Sequence, residues 1–112
     1  MDDYYAGPIT ALIACDRQRR VLVAGHSSAP VTGWPDGEMI GHEVSAALGL
    51  AFPGATDDPI ARSLEWGVRV QQQPCTFRPH GLDEDRDAVV DIFPAYDDDG
   101  GLLLALTPVT KG

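Results

Sequence analysis

Val21 to Gly41 reads VLVAGHSSAPVTGWPDGEMIG, and its pattern changes part-way along. Val21 to Ala24 (VLVA) is a short apolar run that reads as a strand. Gly25 to Pro30 (GHSSAP) breaks that pattern. From Thr32 the chain reads as helical in short pieces, punctuated by Gly33, Pro35 and Gly37. Asp36 is placed to cap a turn over Gly37 to Ile40, which Gly41 ends.

Working outward toward the N-terminus, Asp16 to Arg20 is a polar turn and Ile9 to Cys15 (ITALIAC) is a second apolar run. The separation of the two runs fits an antiparallel hairpin. Met1 to Gly7 is acidic and carries two tyrosines, and residues 1–8 read as a short extension before a domain spanning 9–110. In the other direction, Glu43 to Leu50 repeats Val44, Ala47 and Leu48 at helical spacing. Phe52-Pro53-Gly54 is a loop. Asp58 to Gly67 is the best-marked helix. Asp58 is an N-cap whose carboxylate accepts from free backbone N–H groups, and Pro59 suits the first helical position. Ile60 and Leu64 share one face, Trp66 reads as an anchor at the helix end, and Gly67 suits a left-handed C-terminal stop. Three strands follow, over Val68 to Phe77, Arg86 to Tyr96 and Leu102 to Val109, separated by turns at Pro79-His80-Gly81 and at Asp97 to Gly101 (DDDGG). No internal repeat is present. Two strands, several short helices and three more strands make an α+β domain: a five-stranded antiparallel sheet with short helices on one face.

The bulk composition agrees with one domain. The chain has 112 residues, enough for a single hydrophobic core. Its formal net charge of −9 repels a polyphosphate backbone and argues against nucleic-acid binding. No run approaches the ~20 apolar residues that a membrane helix needs. Cys15 and Cys75 stand sixty positions apart, with no CxxC pair, and read as two buried or half-buried thiols in a reducing cytoplasm.

With these elements in place, the chain resembles the PAS domains. Val21 to Trp34 is similar to the PAS segment in which a strand leads into a helical stretch ending in Thr-Gly-aromatic. Glu38-Met39-Ile40-Gly41 looks like the Glu-Leu-Ile-Gly signature that follows. Pro79-His80-Gly81 sits where PAS domains place a Gly-containing hairpin, and Pro94-Ala95-Tyr96 with DDDGG resembles the hairpin joining the last two strands. The resemblance covers about Ile9 to Thr110. There are two departures: Gly25 stands where the family often has Asn, and Thr107-Pro108-Val109-Thr110 stands where it often ends in Asp-Ile-Thr, a relay that Pro108 disfavours.

The resemblance implies a non-enzymatic sensory and interaction module of a bacterial-type signalling protein, acting on an effector domain or partner protein. It also supplies a test for cofactors. Haem-binding members use a His on the helix that here spans Pro59 to Trp66, and this sequence has no His from Glu43 to Pro79. Flavin-binding members use a Cys in the short helices before it, and there is no Cys from Asp16 to Pro74. Neither chromophore is expected, which leaves a small molecule held by packing and a few hydrogen bonds. The expected pocket walls are Ile60, Leu64, Phe77, Val90, Ile92 and Leu104. A ligand-free dimerisation scaffold is the alternative, with these six residues as plain core.

Other constellations point to chemistry less well. Gly25-His26-Ser27-Ser28-Ala29 resembles the nucleophile elbow of α/β-hydrolases, with Ser27 as nucleophile and His80 in the required chain order. Ala29 replaces the usual glycine, Pro30 follows, and 112 residues do not build the parallel sheet that presents such an elbow. His26, His42 and His80 are scattered, and His42-Glu43 lacks a second His at helical spacing, so no metal site is expected. Asp97-Asp98-Asp99-Gly100 mimics part of a calcium loop, but Leu106 stands where the closing Glu belongs.

The last two strands carry a further signal. Val90 and Ile92 share one face by the period of two, whereas Val89 and Phe93 share the other with Asp91. Leu102, Leu104 and Leu106 alternate with Leu103 and Ala105. Both faces are therefore apolar, where a solvated outer face would alternate with polar residues. Val89, Phe93, Leu103 and Ala105 are the expected interface, for a homodimer or a partner protein.

Overall fold

A computed structural model describes residues 10–25, 28–95 and 100–109. Strands β1 (Ala11–Cys15) and β2 (Val21–Ala24) form the first hairpin. Helices α1 (Ser28–Thr32), α2 (Val44–Leu48) and α3 (Pro59–Trp66) follow, and β3 (Val70–Phe77), β4 (Arg86–Pro94) and β5 (Leu102–Pro108) complete the sheet. The spatial order is β2-β1-β5-β4-β3 with every pairing antiparallel, so the α+β expectation holds.

Alternation along the strands decides which face is inside. Ala11, Ile13 and Cys15 of β1, Ala88, Val90 and Ile92 of β4, and Leu102, Leu104 and Leu106 of β5 are all 3% exposed or less. Val70, Cys75 and Phe77 of β3 join them. The helices cover this face with Val31, Val44, Leu48 and Ile60, and Met39 comes from the turn between α1 and α2. Burying about a dozen such side chains, each contributing roughly 1.5–3 kcal/mol, is what holds the short helices to the sheet.

Local chemistry sets the boundaries. Asp58 caps α3 through Oδ1, which accepts from the Ile60 N–H at 2.9 Å, and Gly67 ends it at φ 64°. Helix α2 is shorter than the Glu43 to Leu50 expected: Glu43 is its N-cap, accepting from Ala46 N–H at 2.7 Å, and Gly49 stops it at φ 55°. Helix α1 begins inside the Gly25 to Pro30 stretch that reads as a break. Pro30 is its third residue, within the first turn, where a backbone N–H has no intrahelical acceptor to meet. Strand β3 starts at Val70, not Val68, and carries a bulge between Val70 and Gln73.

Both sheet edges are partly covered. On β2, the Val21 N–H donates to the His42 carbonyl at 2.9 Å and the Val21 carbonyl accepts from Gly41 at 2.8 Å. On β3, Thr76 exchanges two hydrogen bonds with Ala51, at 2.9 and 3.0 Å, and the Arg78 N–H donates to Leu48 at 2.7 Å. Among the described residues no helix is long and apolar enough to cross a membrane.

Candidate functional site

Three places merit consideration as a site: the core between helices and sheet, the joint between α1 and the β3–β4 turn, and the outer face of the sheet.

Of the six expected pocket walls, Ile60, Phe77, Val90, Ile92 and Leu104 are brought together in the core and are 2% exposed or less. Leu64 is half-buried and packs against them from α3. One polar atom is out of keeping with these surroundings. Ser63 is fully buried on α3, and its hydroxyl has no hydrogen-bond partner among the described residues. An orphaned hydroxyl in a core costs about 1–3 kcal/mol. A cleft of about 440 Å³ is lined by Ser63 and Leu64, together with Arg17, Glu65 and Gly101. A second, of about 390 Å³, lies between Ala46 and Ala47 of α2 and the Arg78 to Leu82 turn. Trp66 is 75% exposed and does not serve as the expected anchor: α3 ends one turn after its last buried residue, Ser63, and this side chain stands in solvent.

The Thr32-Gly33-Trp34 motif forms the joint. Gly33 has φ 76°, and a side chain there would bring a Cβ to 2.8 Å from the His80 carbonyl oxygen. Only glycine allows that approach. The His80 N–H donates to the Thr32 carbonyl at 2.7 Å, and the Trp34 ring stacks on His80 at 3.9 Å while tilting against His42 at 5.0 Å. Trp34 Nε1–H donates to the Ala47 carbonyl at 3.1 Å. His80 is thus a packing partner of Trp34. His26 and Ser27 lie outside the described residues. The sheet to which β2 belongs is antiparallel throughout, unlike the parallel sheet a nucleophile elbow needs. Asp97, Asp98 and Asp99 also lie outside the described residues, and among the described ones no three His, Cys, Asp or Glu side chains cluster. Both thiols are free and buried, and burial pushes Cys15 up to about 12 and Cys75 up to about 11.

The outer face holds the four expected interface residues. Val89, Phe93 and Ala105 are half-buried and Leu103 is 39% exposed. Strand register extends the patch across β1 and β2. Ala14 pairs with both Leu103 and Val23, Leu12 pairs with Ala105, and Leu103 pairs with Phe93. Leu12 and Val23 are 47% and 59% exposed. Sequence reasoning missed Leu12, Ala14 and Val23, although the unbroken apolar run ALIAC carried the same signal as β4 and β5. At one margin Arg69 lies over the Phe93 ring, 4.6 Å from its centroid. Beside it Asp91 accepts from the Gln72 backbone N–H at 2.9 Å and from its side-chain amide at 3.0 Å. These two bonds hold Gln72 in the left-handed region, at φ 50°, within the β3 bulge.

No sequence-family model matches the chain, and neither does any curated protein. Solved structures do match in shape. The chain superposes on a PAS domain from Colwellia psychrerythraea with a TM-score of 0.74 at 18% identity, covering 93% of this chain and 89% of that one. This is a PAS fold. The PAS domain of nitrogen regulation protein NR(II) from Vibrio parahaemolyticus gives 0.69 at 15% identity, over 88% of this chain and 87% of that one. A fungal LOV domain photoreceptor gives 0.66 at 16% identity, over 96% and 78%. The PAS fold accounts for the strand order, with the two N-terminal strands at one edge and the helices gathered on one face.

Proposed function

We propose that this chain is a sensory and interaction module of a cytoplasmic, bacterial-type signal-transduction protein, spanning residues 9–110 and without catalytic activity of its own. The observation that carries this reading is the apolar outer face, where Leu12, Val23 and Leu103 stand exposed and Leu103 pairs with Phe93. Contiguous apolar surface of this kind marks an interaction site, and a signalling module needs one to act on an effector. Homodimerisation through that face is the expected state. Light scattering at tens of micromolar tests it: a dimer that Phe93→Asp converts to monomer supports the reading, and a strict monomer with Phe93→Asp fully tolerated overturns it.

The signal is proposed to be a small molecule bound between α3 and the sheet, near Leu64 and the orphaned Ser63 hydroxyl. Haem and flavin are not proposed, because α3 carries no His and residues 16–74 hold no Cys. A second reading, a dimerisation scaffold with no ligand, is favoured by the core positions of Ile60, Phe77, Val90, Ile92 and Leu104. Native mass spectrometry of freshly purified protein separates the two. A retained mass supports sensing, and an empty dimer supports the scaffold. The solution should be colourless, and a visible absorption band would overturn the exclusion of both chromophores.

A further inference from the structure

The cleft of about 440 Å³ at the end of α3 opens between three parts of the chain: the last turns of the helix, the β1–β2 turn and the β4–β5 connection. The helix contributes Ser63, Leu64 and Glu65, the β1–β2 turn contributes Arg17, and Pro94 and Gly100 come from the β4–β5 side. Arg17 lies directly against Gly100, which has φ 69°, and its guanidinium occupies the space that a Cβ there would take. Arg17 and Glu65 are both exposed and bring opposite charges to the same cleft without pairing. Neither forms an ion pair with the other or with any described residue.

Two polar groups here are at odds with their surroundings. The Ser63 hydroxyl is fully buried and has no hydrogen-bond partner among the described residues. Glu65 stands in the last turn of α3, where the negative end of the helix dipole favours a cation, and that turn carries no basic side chain. Local conflicts of this sort collect where a protein binds something. The charges indicate what is bound. A cation suits Glu65 and the carbonyl end of α3, an anion suits Arg17, and the hydroxyl can accept from the one or donate to the other. A net anion is disfavoured by the formal charge of −9 on the chain, and a net cation by the guanidinium. A molecule that carries both charges meets neither objection. Leu64 and Pro94 add apolar surface for a short side chain, and 440 Å³ lies toward the small end of the roughly 300–1,000 Å³ typical of ligand pockets.

We propose that this cleft binds a free α-amino acid, with its carboxylate on the Arg17 guanidinium, its ammonium against Glu65 and the carbonyl end of α3, and the Ser63 hydroxyl bonded to one of the two. This rests on the reading of the chain as a sensory module and names the class of its signal. The site lies at the end of α3 and not in the core, where Ile60, Phe77, Val90 and Ile92 are closely packed. Through its two charges a bound amino acid ties the β1–β2 turn to the end of α3, so occupancy favours the arrangement in which those two elements stand together.

Calorimetry with the full chain and each common L-amino acid in turn tests this. At least one should bind. Its primary amide lacks the carboxylate and its N-acetyl derivative lacks the ammonium, and each should bind about tenfold or more weakly. Arg17→Gln should weaken the amino acid to a similar extent and erase the preference for acid over amide. Glu65→Gln should likewise erase the preference for the free amine over its N-acetyl derivative. Both side chains are exposed, so neither substitution disturbs the core. Ser63→Ala should weaken binding and leave both preferences in place. An amino acid that binds but ignores Arg17→Gln and Glu65→Gln would overturn the site. If none of them binds while native mass spectrometry shows another retained mass, the sensory reading stands and this ligand class falls. If none binds and the protein is empty, sensing falls with it and the scaffold remains.

Discussion

Arg19 reaches from the β1–β2 turn to the start of α3, where its Nη1 donates to Asp58 Oδ2 at 2.8 Å. The Arg19 carbonyl meanwhile accepts from the Val44 N–H at 2.8 Å, on the first residue of α2. One turn residue therefore ties the first hairpin to the beginnings of two helices. It does so from φ 65°, a conformation most residues avoid, and Asp16 organises the turn by accepting from Gln18 and Arg20 through Oδ1.

Asp58 serves both the ion pair and the cap of α3. The ion pair is partly solvated, with Asp58 41% exposed, and such pairs contribute at most about 1 kcal/mol. The cap contributes about 1 kcal/mol on its own. Asp58→Ala should therefore destabilise the domain more than Asp58→Asn, which keeps an accepting oxygen. Urea denaturation ranks them, and equal losses would show that charge outweighs capping.

Two glycines should respond very differently to alanine. Gly67 has φ 64° with open space where a Cβ would lie, so Gly67→Ala carries only the backbone cost, about 1 kcal/mol. Gly101 has φ 115°, and its Cβ would fall 2.5 Å from the Cys15 carbonyl oxygen. Gly101→Ala should lose about 3 kcal/mol or more. Melting temperatures that fall equally would contradict this contrast.

Removing the orphaned hydroxyl should help the fold. Ser63→Ala relieves an unsatisfied buried group and places a better helix former inside α3, for a gain of about 1 kcal/mol. A loss of stability instead would mean that the hydroxyl has a partner in solution, and mass spectrometry of the two proteins would show whether that partner is a ligand.

The cysteines predict an alkaline limit. Burial, with the Asp16 and Glu43 charges adding for Cys15, raises both thiols in the folded state above their ordinary 9.0. Above pH 9 the unfolded chain loses these protons while the folded one keeps them, so folding stability is fully present below 9 and declines as pH rises toward 11 and 12. Cys15→Ala should flatten that decline. Native protein at about pH 8 should resist iodoacetamide, with both thiols reacting quickly once urea unfolds it.

Much of the fold could be read from local signals that fit the tertiary result. Asp58-Pro59 and Gly67 bound α3, and period-two alternation placed Val90, Ile92 and Leu104 inside. Helix α1 was missed because Pro30 is read as a breaker before its position within the helix is known. The bulge at Gln72 is held by a carboxylate nineteen positions away, which no local pattern contains. Leu12, Ala14 and Val23 join the outer patch only through strand register, so that face was half legible from sequence. The Ser63 hydroxyl is conspicuous only once its surroundings are known to be apolar.

The edges of the sheet have a bearing on how the protein assembles. Gly41 and His42 occupy the hydrogen-bonding groups of Val21 on one side, and Ala51 and Leu48 do the same for Thr76 and Arg78 on the other. What remains of β3 is kinked at Gln72 and includes Pro74, which has no N–H to offer an incoming strand. Lateral growth, strand upon strand, is thereby discouraged at both margins. Leu12, Val23 and Leu103 expose their side chains on the outer face of the sheet, not toward the hydrogen-bonding groups of either edge. Pairing of two faces about a two-fold axis closes on itself and ends at a finite particle, whereas addition of strand to strand at an open edge does not.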